Sequence, residues 1–300
     1  MVPARNAAEG LPRLLDALAV QQANGLEVIV VDDASTDATP DIVRSAGNVR
    51  LVQAGEHAGV ARARNLGIRS AGGGLVAFVD ADCVPSPNWA ERAVAAFADL
   101  QADILAGQID VTMARPSPVA LVDLVHYYDQ QRYVSEGFAA TGNLWVRREV
   151  FERAGLFDER LERGEDQEFV RRAVAAGARL HYAPEVSVSH QARGLGAQVR
   201  RCFAIGTDRG VAGLRSRARS GSYVGPERYR ERLAAAGLRP TRARLLSIAI
   251  ARNACIRLPM ALGAVWGGLR GSRRATQAAV GSPASSAAEE APPPTRPAAP

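Results

Sequence analysis

The chain has 300 residues and no lysine; all 37 of its basic side chains are arginine. Positive charge offered to an anionic group must therefore come from guanidinium or from a bound metal. Cysteine is also scarce. Cys83, Cys202 and Cys255 lie far apart and form no CxxC, which excludes a disulfide framework and a zinc knuckle. No charged segment followed by an apolar h-region opens the chain, so no signal peptide is expected and a reducing, cytoplasmic setting is. No GxGxxG follows a strand-like run, which argues against a dinucleotide-binding oxidoreductase. No internal repeat is visible.

A long uninterrupted apolar run is missing as well. The nearest approach, 245–269, is broken by Arg252, Arg257 and Pro259. A membrane span prefers about 20 apolar residues without charge. The expectation is either an in-plane amphipathic helix flanked by arginines or a helix packed on the domain.

Net charge is +6, unevenly spread. Residues 1–192 carry 18 arginines against 26 acidic residues; residues 193–274 carry 18 arginines against only Asp208, Glu227 and Glu231. An acidic front and a basic back suggest an anionic partner for the back, with an anionic membrane surface ahead of nucleic acid, for which no recognised motif is present. The alternative is a solvated arginine-rich surface. Residues 281–300, rich in Pro, Ala and Ser, are expected to be disordered.

The first half alternates strand and helix patterns. Helices are predicted over 11–20, 36–46 (capped by Ser35 or Thr36), 60–70 and 89–100, with strands over 27–31, 49–52, 75–79 and 104–105. Such βα alternation predicts a mostly parallel sheet. Further on, 119–134 and 149–154 read as helices, Gly164 opens another through Ala176, and 142–148, 179–182 and 186–190 read as strands. Two acidic pairs, Asp32-Asp33 and Asp80/Asp82, then fall at the same carboxyl edge of the sheet, where ligands of open α/β sheets enter. There Asp80 and Asp82 suit a hard divalent cation bound together with substrate phosphates. Read alone, they could equally cap the helix after Pro85 and Pro87.

The order of several motifs resembles the family 2 glycosyltransferases of the GT-A fold. The residues that carry it are Val2-Pro3-Ala4-Arg5-Asn6, Val28 to Asp37, Gly59-Val60-Ala61-Arg62-Ala63-Arg64-Asn65, Phe78-Val79-Asp80-Ala81-Asp82, Gly142-Asn143-Leu144 and Gly164-Glu165-Asp166. The resemblance covers roughly 1–192 and implies a Rossmann-like, mostly parallel sheet flanked by helices. It divides into a nucleotide-sugar half (about 1–110) and an acceptor half (about 111–192), followed by a basic helical extension (193–274) and a tail (275–300). The family's first strand is longer than Met1-Val2, so an apolar stretch upstream of residue 1 is expected.

The same resemblance implies transfer of a sugar, with inversion, from a nucleoside-diphosphate sugar to a hydroxyl of a glycan or lipid-linked acceptor. The donor would be bound by Pro3, Ala4, Arg5, Asp32, Asp33, Arg64 and Asp80. Mn²⁺ or Mg²⁺ would be held by Asp82, with Asp80 and His190. Asp166 would be the general base and Glu165 would bind acceptor or orient the loop. Asn143 would line the acceptor side, unless it only makes a turn. Arg64 could instead be a surface charge, and His57, His126 and His181 read as structural. Trp145 reads as core. Two rivals remain. Phe78 to Val84 also fits a haloacid-dehalogenase phosphatase, but that superfamily typically needs a lysine. A non-catalytic carbohydrate- or sugar-nucleotide-binding protein is the other, against which the intact carboxylates argue.

Overall fold

The structure, a computed structural model, describes residues 1–21, 25–161, 163–211, 226–262, 264 and 266. The expected tail at 275–300 lies outside the described residues. Strands and helices alternate through β1 (Val2–Ala4), α1 (Leu11–Ala19), β2 (Val28–Asp32), α2 (Thr39–Ser45), β3 (Val49–Gln53), α3 (Val60–Ser70) and β4 (Leu75–Val79). They continue with β5 (Cys83–Pro85), α4 (Trp89–Asp99), β6 (Ile104–Thr112), α5 (Pro118–His126), α6 (Gln130–Ser135), β7 (Asn143–Arg147), α7 (Arg148–Ala154), α8 (Glu165–Ala175) and β8 (Leu180–Gln191). The extension contributes α9 (Leu195–Val211), α10 (Pro226–Ala235), α11 (Arg242–Arg252) and a π-helical turn, Asn253–Arg257.

The first three strands form a parallel sheet, β1-β2-β3. The remaining five form a mixed sheet in the order β4-β7-β6-β8-β5, where β6 and β8 are parallel and β7 runs antiparallel to both neighbours. The expected parallel character thus holds for the first sheet and the β6–β8 pair, and antiparallel strands fill the second half. The two sheets meet where the Met1 amino group donates to Ala77 O (2.8 Å) and Val79 N donates to Met1 O (3.3 Å). One apolar layer, including Leu11, Leu14, Trp89, Phe97 and Trp145, packs α1 and α4 on one face. Another, built on Phe78, Phe151, Phe157 and Phe169, packs α3, α7 and α8 on the other. Trp145 is core, as expected, with its ring 4.5 Å from Trp89.

Several boundaries differ from the sequence expectation, and strand β6 runs on to Thr112 where only 104–105 was expected. Helix α2 starts at Thr39, because Ser35 and Thr36 bind the loop after β1: Ser35 Oγ accepts from Asn6 N, and Thr36 N donates to Asn6 Oδ1. The single helix expected over 119–134 is broken at Tyr127–Asp129, where Tyr128 takes φ 60°. The two short strands at 179–182 and 186–190 are one strand, β8, interrupted by a bulge that pairs Ala183 with Gly107 and Ser187 with Gln108. Gly107 is required there: a Cβ would lie 2.3 Å from both Asn143 Nδ2 and Val186 O.

The extension packs on the catalytic half. Leu121, Val122, Leu124 and Val125 of α5 share a buried cluster with Tyr229, Leu233, Ile248, Ala251 and Cys255. Asp129, at the kink after α5, holds Arg228 (2.7 Å) and Arg232 (3.8 Å) of α10. Part of the basic charge of 193–274 is therefore matched inside the fold, not displayed.

Candidate active site

Strand β4 delivers Asp80 and Asp82 to the sheet edge. A turn follows, with Cys83 N donating to Asp80 O (3.0 Å), and the cap of α4 is Asn88, so this pair does not cap that helix. Strand β5 then pairs antiparallel with β8, placing Cys83 opposite His190. That register brings a side chain from the far end of the domain to the carboxylates: His190 Nδ1 is 3.4 Å from Asp82 Oδ1. His190 is 1 % exposed, and its Nε2 has no hydrogen-bond partner among the described residues.

Donor atoms of Asp82, Cys83 and His190 all lie within 4.8 Å of one another. Burial, then the charges of Asp80 and Asp82, push the Cys83 thiol well above its ordinary range, so it stays protonated and is a poor ligand. The usable set is Asp82 and His190, with Asp80 alongside. A carboxylate–imidazole set, with room for phosphate oxygens, suits Mn²⁺ or Mg²⁺. The imidazole nitrogen that faces the carboxylate, and would be the ligand atom, is Nδ1.

Arg193 completes this side, and sequence reasoning missed it. Its Nη2 is 3.6 Å from Asp82 Oδ2, its Nη1 donates to the Tyr128 hydroxyl, and its guanidinium lies 5.5 Å from the Tyr128 ring. Tyr128 in turn stacks 4.6 Å from His190, which the left-handed kink makes possible. Arg193 stands three residues after His190. That spacing was the available signal, obscured because Arg193 opens the arginine-rich run and was counted with it.

The electrostatics of the carboxylates diverge. Burial disfavours charge on Asp82, but the His190 hydrogen bond, His190 and Arg193 outweigh it and hold the carboxyl below its ordinary range. Asp80 moves up, chiefly through burial, which Arg64 only partly offsets and the Asp82 charge reinforces. Asp166, second residue of α8, is pushed up to about 6 by burial and then by the adjacent Glu165 charge. Its Oδ1 accepts from Gln167 N (2.7 Å).

Arg64 ties the two sides together. It is not a surface charge. At 5 % exposure it donates through Nη1 to Glu165 and lies 3.6 Å through Nη2 from Asp80. Its Nε, also buried, has no hydrogen-bond partner among the described residues, so the guanidinium is only partly committed to these carboxylates. Glu165, 6 % exposed, is buried and paired with this guanidinium.

Asn143 is corrected too. It is fully buried as the first residue of β7; its Oδ1 accepts from Trp89 Nε1 (2.9 Å), and its Nδ2 donates to Gln108 O and Val186 O (2.8 Å each). With both Nδ2 protons and one Oδ1 lone pair taken it pins three strands and α4, and its full burial keeps it from facing an acceptor.

On the nucleotide side, Pro3 and Ala4 lie in β1, and Ala4 O accepts from Asp33 N (2.8 Å). Asp32 sits buried at the end of β2, accepting from Ser35 N (3.3 Å). Asp33 is engaged by the next loop: it accepts from Ala58 N (2.9 Å) and Gly59 N (3.2 Å), and His57 Nδ1 is 2.7 Å away. Arg5 Nη1 reaches His57 Nε2 at 2.9 Å. His57 thus bridges Arg5 and Asp33 at this edge, whereas sequence alone assigned it a purely structural place. Both carboxylates are thus buried and bound by the loops that follow β2 and β3, Asp32 by Ser35 and Asp33 by residues 57–59.

Comparison with known proteins agrees with this geometry. Residues 1–155 match the family described as glycosyl transferase family 2. The chain is 32 % identical over 214 residues to the glycosyltransferase AglE of Haloferax volcanii, covering 69 % of this chain and 70 % of that one. It is 30 % identical over 203 residues to the pre-mycofactocin glycosyltransferase of Mycobacterium tuberculosis, covering 64 % and 42 %. Among solved structures, S. aureus TarS 1–349 in complex with UDP-GlcNAc superposes with a TM-score of 0.53 at 22 % identity, covering 86 % of this chain and 72 % of that one. The mannosyltransferase PcManGT from Pyrobaculum calidifontis, in complex with GDP-Man and Mn²⁺, gives 0.53 at 24 %, covering 93 % and 78 %. A strand-end carboxylate pair, a buried arginine linking it to a second acidic pair, and these matches converge: the chain belongs to glycosyl transferase family 2 and is a glycosyl-transferring enzyme of the GT-A fold.

Proposed function

We propose that this enzyme is a metal-dependent, inverting glycosyltransferase that moves a sugar from a nucleoside-diphosphate sugar to a hydroxyl of a glycan or lipid-linked acceptor. The observation that carries the reading is the opposed tuning of two carboxyl groups: Asp82 is held ionised and Asp166 is raised to about 6. Carboxyls pushed apart in this way mark divided roles. Solved neighbours bound to UDP-GlcNAc and to GDP-Man with Mn²⁺ support the donor class and the cation.

Asp82 and His190 would hold the Mn²⁺ or Mg²⁺, which when bound supplies positive charge to the diphosphate leaving group. Arg193 adds a fixed cation beside it, in a protein that has no lysine for the task. Asp166 accepts the acceptor hydroxyl's proton as that oxygen bonds to the anomeric carbon and the bond to diphosphate breaks. Glu165 and Arg64 hold the start of α8 against Asp80, fixing the base relative to the donor.

The direct test is a panel of UDP- and GDP-sugars with Mn²⁺, read as released nucleoside diphosphate. Turnover of one donor is expected; none with any donor argues for the non-catalytic alternative. A second expectation concerns Arg193→Gln. Losing a charge-assisted contact to the diphosphate should raise donor KM or lower kcat by about tenfold or more. The melting temperature should fall as well, because the guanidinium also faces the fully buried Asp123 carboxylate (3.9 Å) and donates to Tyr128, so the kinetics are read at a temperature where the variant is still folded. Steady-state kinetics with an unfolding scan checks both, and unchanged kinetics would remove Arg193 from the donor site.

A further inference from the structure

The helix that begins with α11 presents two apolar faces. One is buried: Ile248, Ala251, Cys255 and Ile256 pack with α5. The other is open, with Leu246, Ile250, Leu258 and Leu262 at 62, 61, 59 and 56 % exposure and Ala254 exposed between them. These five positions are spaced by fours. In a regular helix of about 3.6 residues per turn, that spacing winds steadily off any one face. The π turn Asn253–Arg257 takes up the excess, since its wider i→i+5 turn sets the second half of the stripe back toward the first. The result is a ridge about 24 Å long, from the rise per residue.

The segment that carries this ridge has charge of one sign. From residue 232 to 288 the sequence has no Asp or Glu, while Arg239, Arg242 and Arg257 are exposed beside the ridge and Arg270, Arg273 and Arg274 follow in the sequence.

We infer that this face is a lipid-docking surface: the helix lies in the plane of an anionic phospholipid bilayer, with the ridge in the acyl boundary and the arginines at the headgroups. Apolar side chains rimmed by arginine match such an interface. A second copy of the chain fits it poorly, because a symmetric contact would bring the same arginines together with no acid to neutralise them. Nucleic acid would meet the charge but leave the ridge in water. A transmembrane passage is also disfavoured, although the stretch Arg242–Leu262 is 21 residues long and contains an 18-residue window of mean hydropathy 1.4. Spanning would strip Ile248 and Cys255 from α5 and carry Arg252 and Arg257 through the hydrocarbon. Arg252 instead donates to the Tyr229 hydroxyl (3.4 Å) inside the fold.

The test needs no sugar donor, so its failure is separate from failure of the transfer reading. The full chain is sedimented at low salt with vesicles of phosphatidylcholine alone or containing phosphatidylglycerol. Binding to the anionic vesicles is expected, at least about tenfold tighter than to neutral ones, with release by an alkaline carbonate wash. The combined variant Leu246→Gln, Ile250→Gln, Leu258→Gln, Leu262→Gln should lose binding while keeping its melting temperature. Arg239→Gln, Arg242→Gln, Arg257→Gln should lose the preference for anionic lipid. Three outcomes overturn the inference: no binding by the full chain, retention through the carbonate wash, or a dimer in solution that the ridge variant abolishes without any vesicle binding.

Discussion

Replacing Asp166 with Asn lowers kcat by about 10² or more, the scale of general-base catalysis, while donor KM stays nearly unchanged. The shape of the side chain is kept; what disappears is the site that takes the hydroxyl proton. The pH profile supplies the signature. Because burial and Glu165 raise Asp166 to about 6, kcat/KM of the wild type rises as the pH passes upward through that value, and the step is absent from the variant. Stability moves the other way. A folded-state pKa above the unfolded carboxyl value of about 4 means the protonated form is favoured by folding. That contribution is fully present below the unfolded value and is lost as the pH rises through 6. Asn carries no charge to bury, so Asp166→Asn should melt higher than wild type at pH 8, with the gap closing toward acid. A variant with near-normal kcat places the base elsewhere.

Chelation produces the other large effect. With EDTA in excess, donor turnover falls to background, and Mn²⁺ or Mg²⁺ restores it. Cation binding can be read without turnover, because a ligand that binds only the folded protein raises the melting temperature with its concentration. Mn²⁺ should raise the melting temperature of the wild type and not of Asp82→Ala. Asp82 is the cleaner position to alter, being half exposed, whereas His190 is enclosed by Cys83 and Tyr128. Full activity in chelator would shift leaving-group stabilisation to Arg193 alone.

Local chemistry made parts of this architecture readable. Helix α3 runs over 60–70 as the pattern predicts, since Gly59 precedes it and the three glycines at 72–74 stop any continuation. Strand β4 stands out because an apolar run ends in carboxylates. What could not be read was long-range. Strand β8 looked like two strands because Pro184 and Glu185 interrupt the alternation, and only pairing with β6 carries the strand through the bulge. Arg64 and Glu165 are 101 residues apart and His57 and Asp33 are 24 apart. Spacing cannot reveal that such pairs neutralise each other before any ligand arrives. Asn143 shows the same limit from the other side. A motif position suggested a ligand contact, and the fold instead buries the side chain and spends both its amide protons on Gln108 and Val186.

The tripeptide Tyr127-Tyr128-Asp129 behaves as a shared hinge pin. Tyr128 touches His190 and Arg193. Tyr127 lies under Arg201 (4.1 Å) and its carbonyl accepts from Arg232 (2.9 Å), while Asp129 holds α10. Three consecutive residues thus belong at once to the wall of the donor site and to the seat of the extension. In hydrogen-exchange terms, the amides of α10 and those beside His190 should open as one cooperative unit. The composition break near residue 193 is therefore a frontier in charge that the folding unit crosses. A donor site cut free of its basic half would lose the partners of a buried aspartate along with the tail.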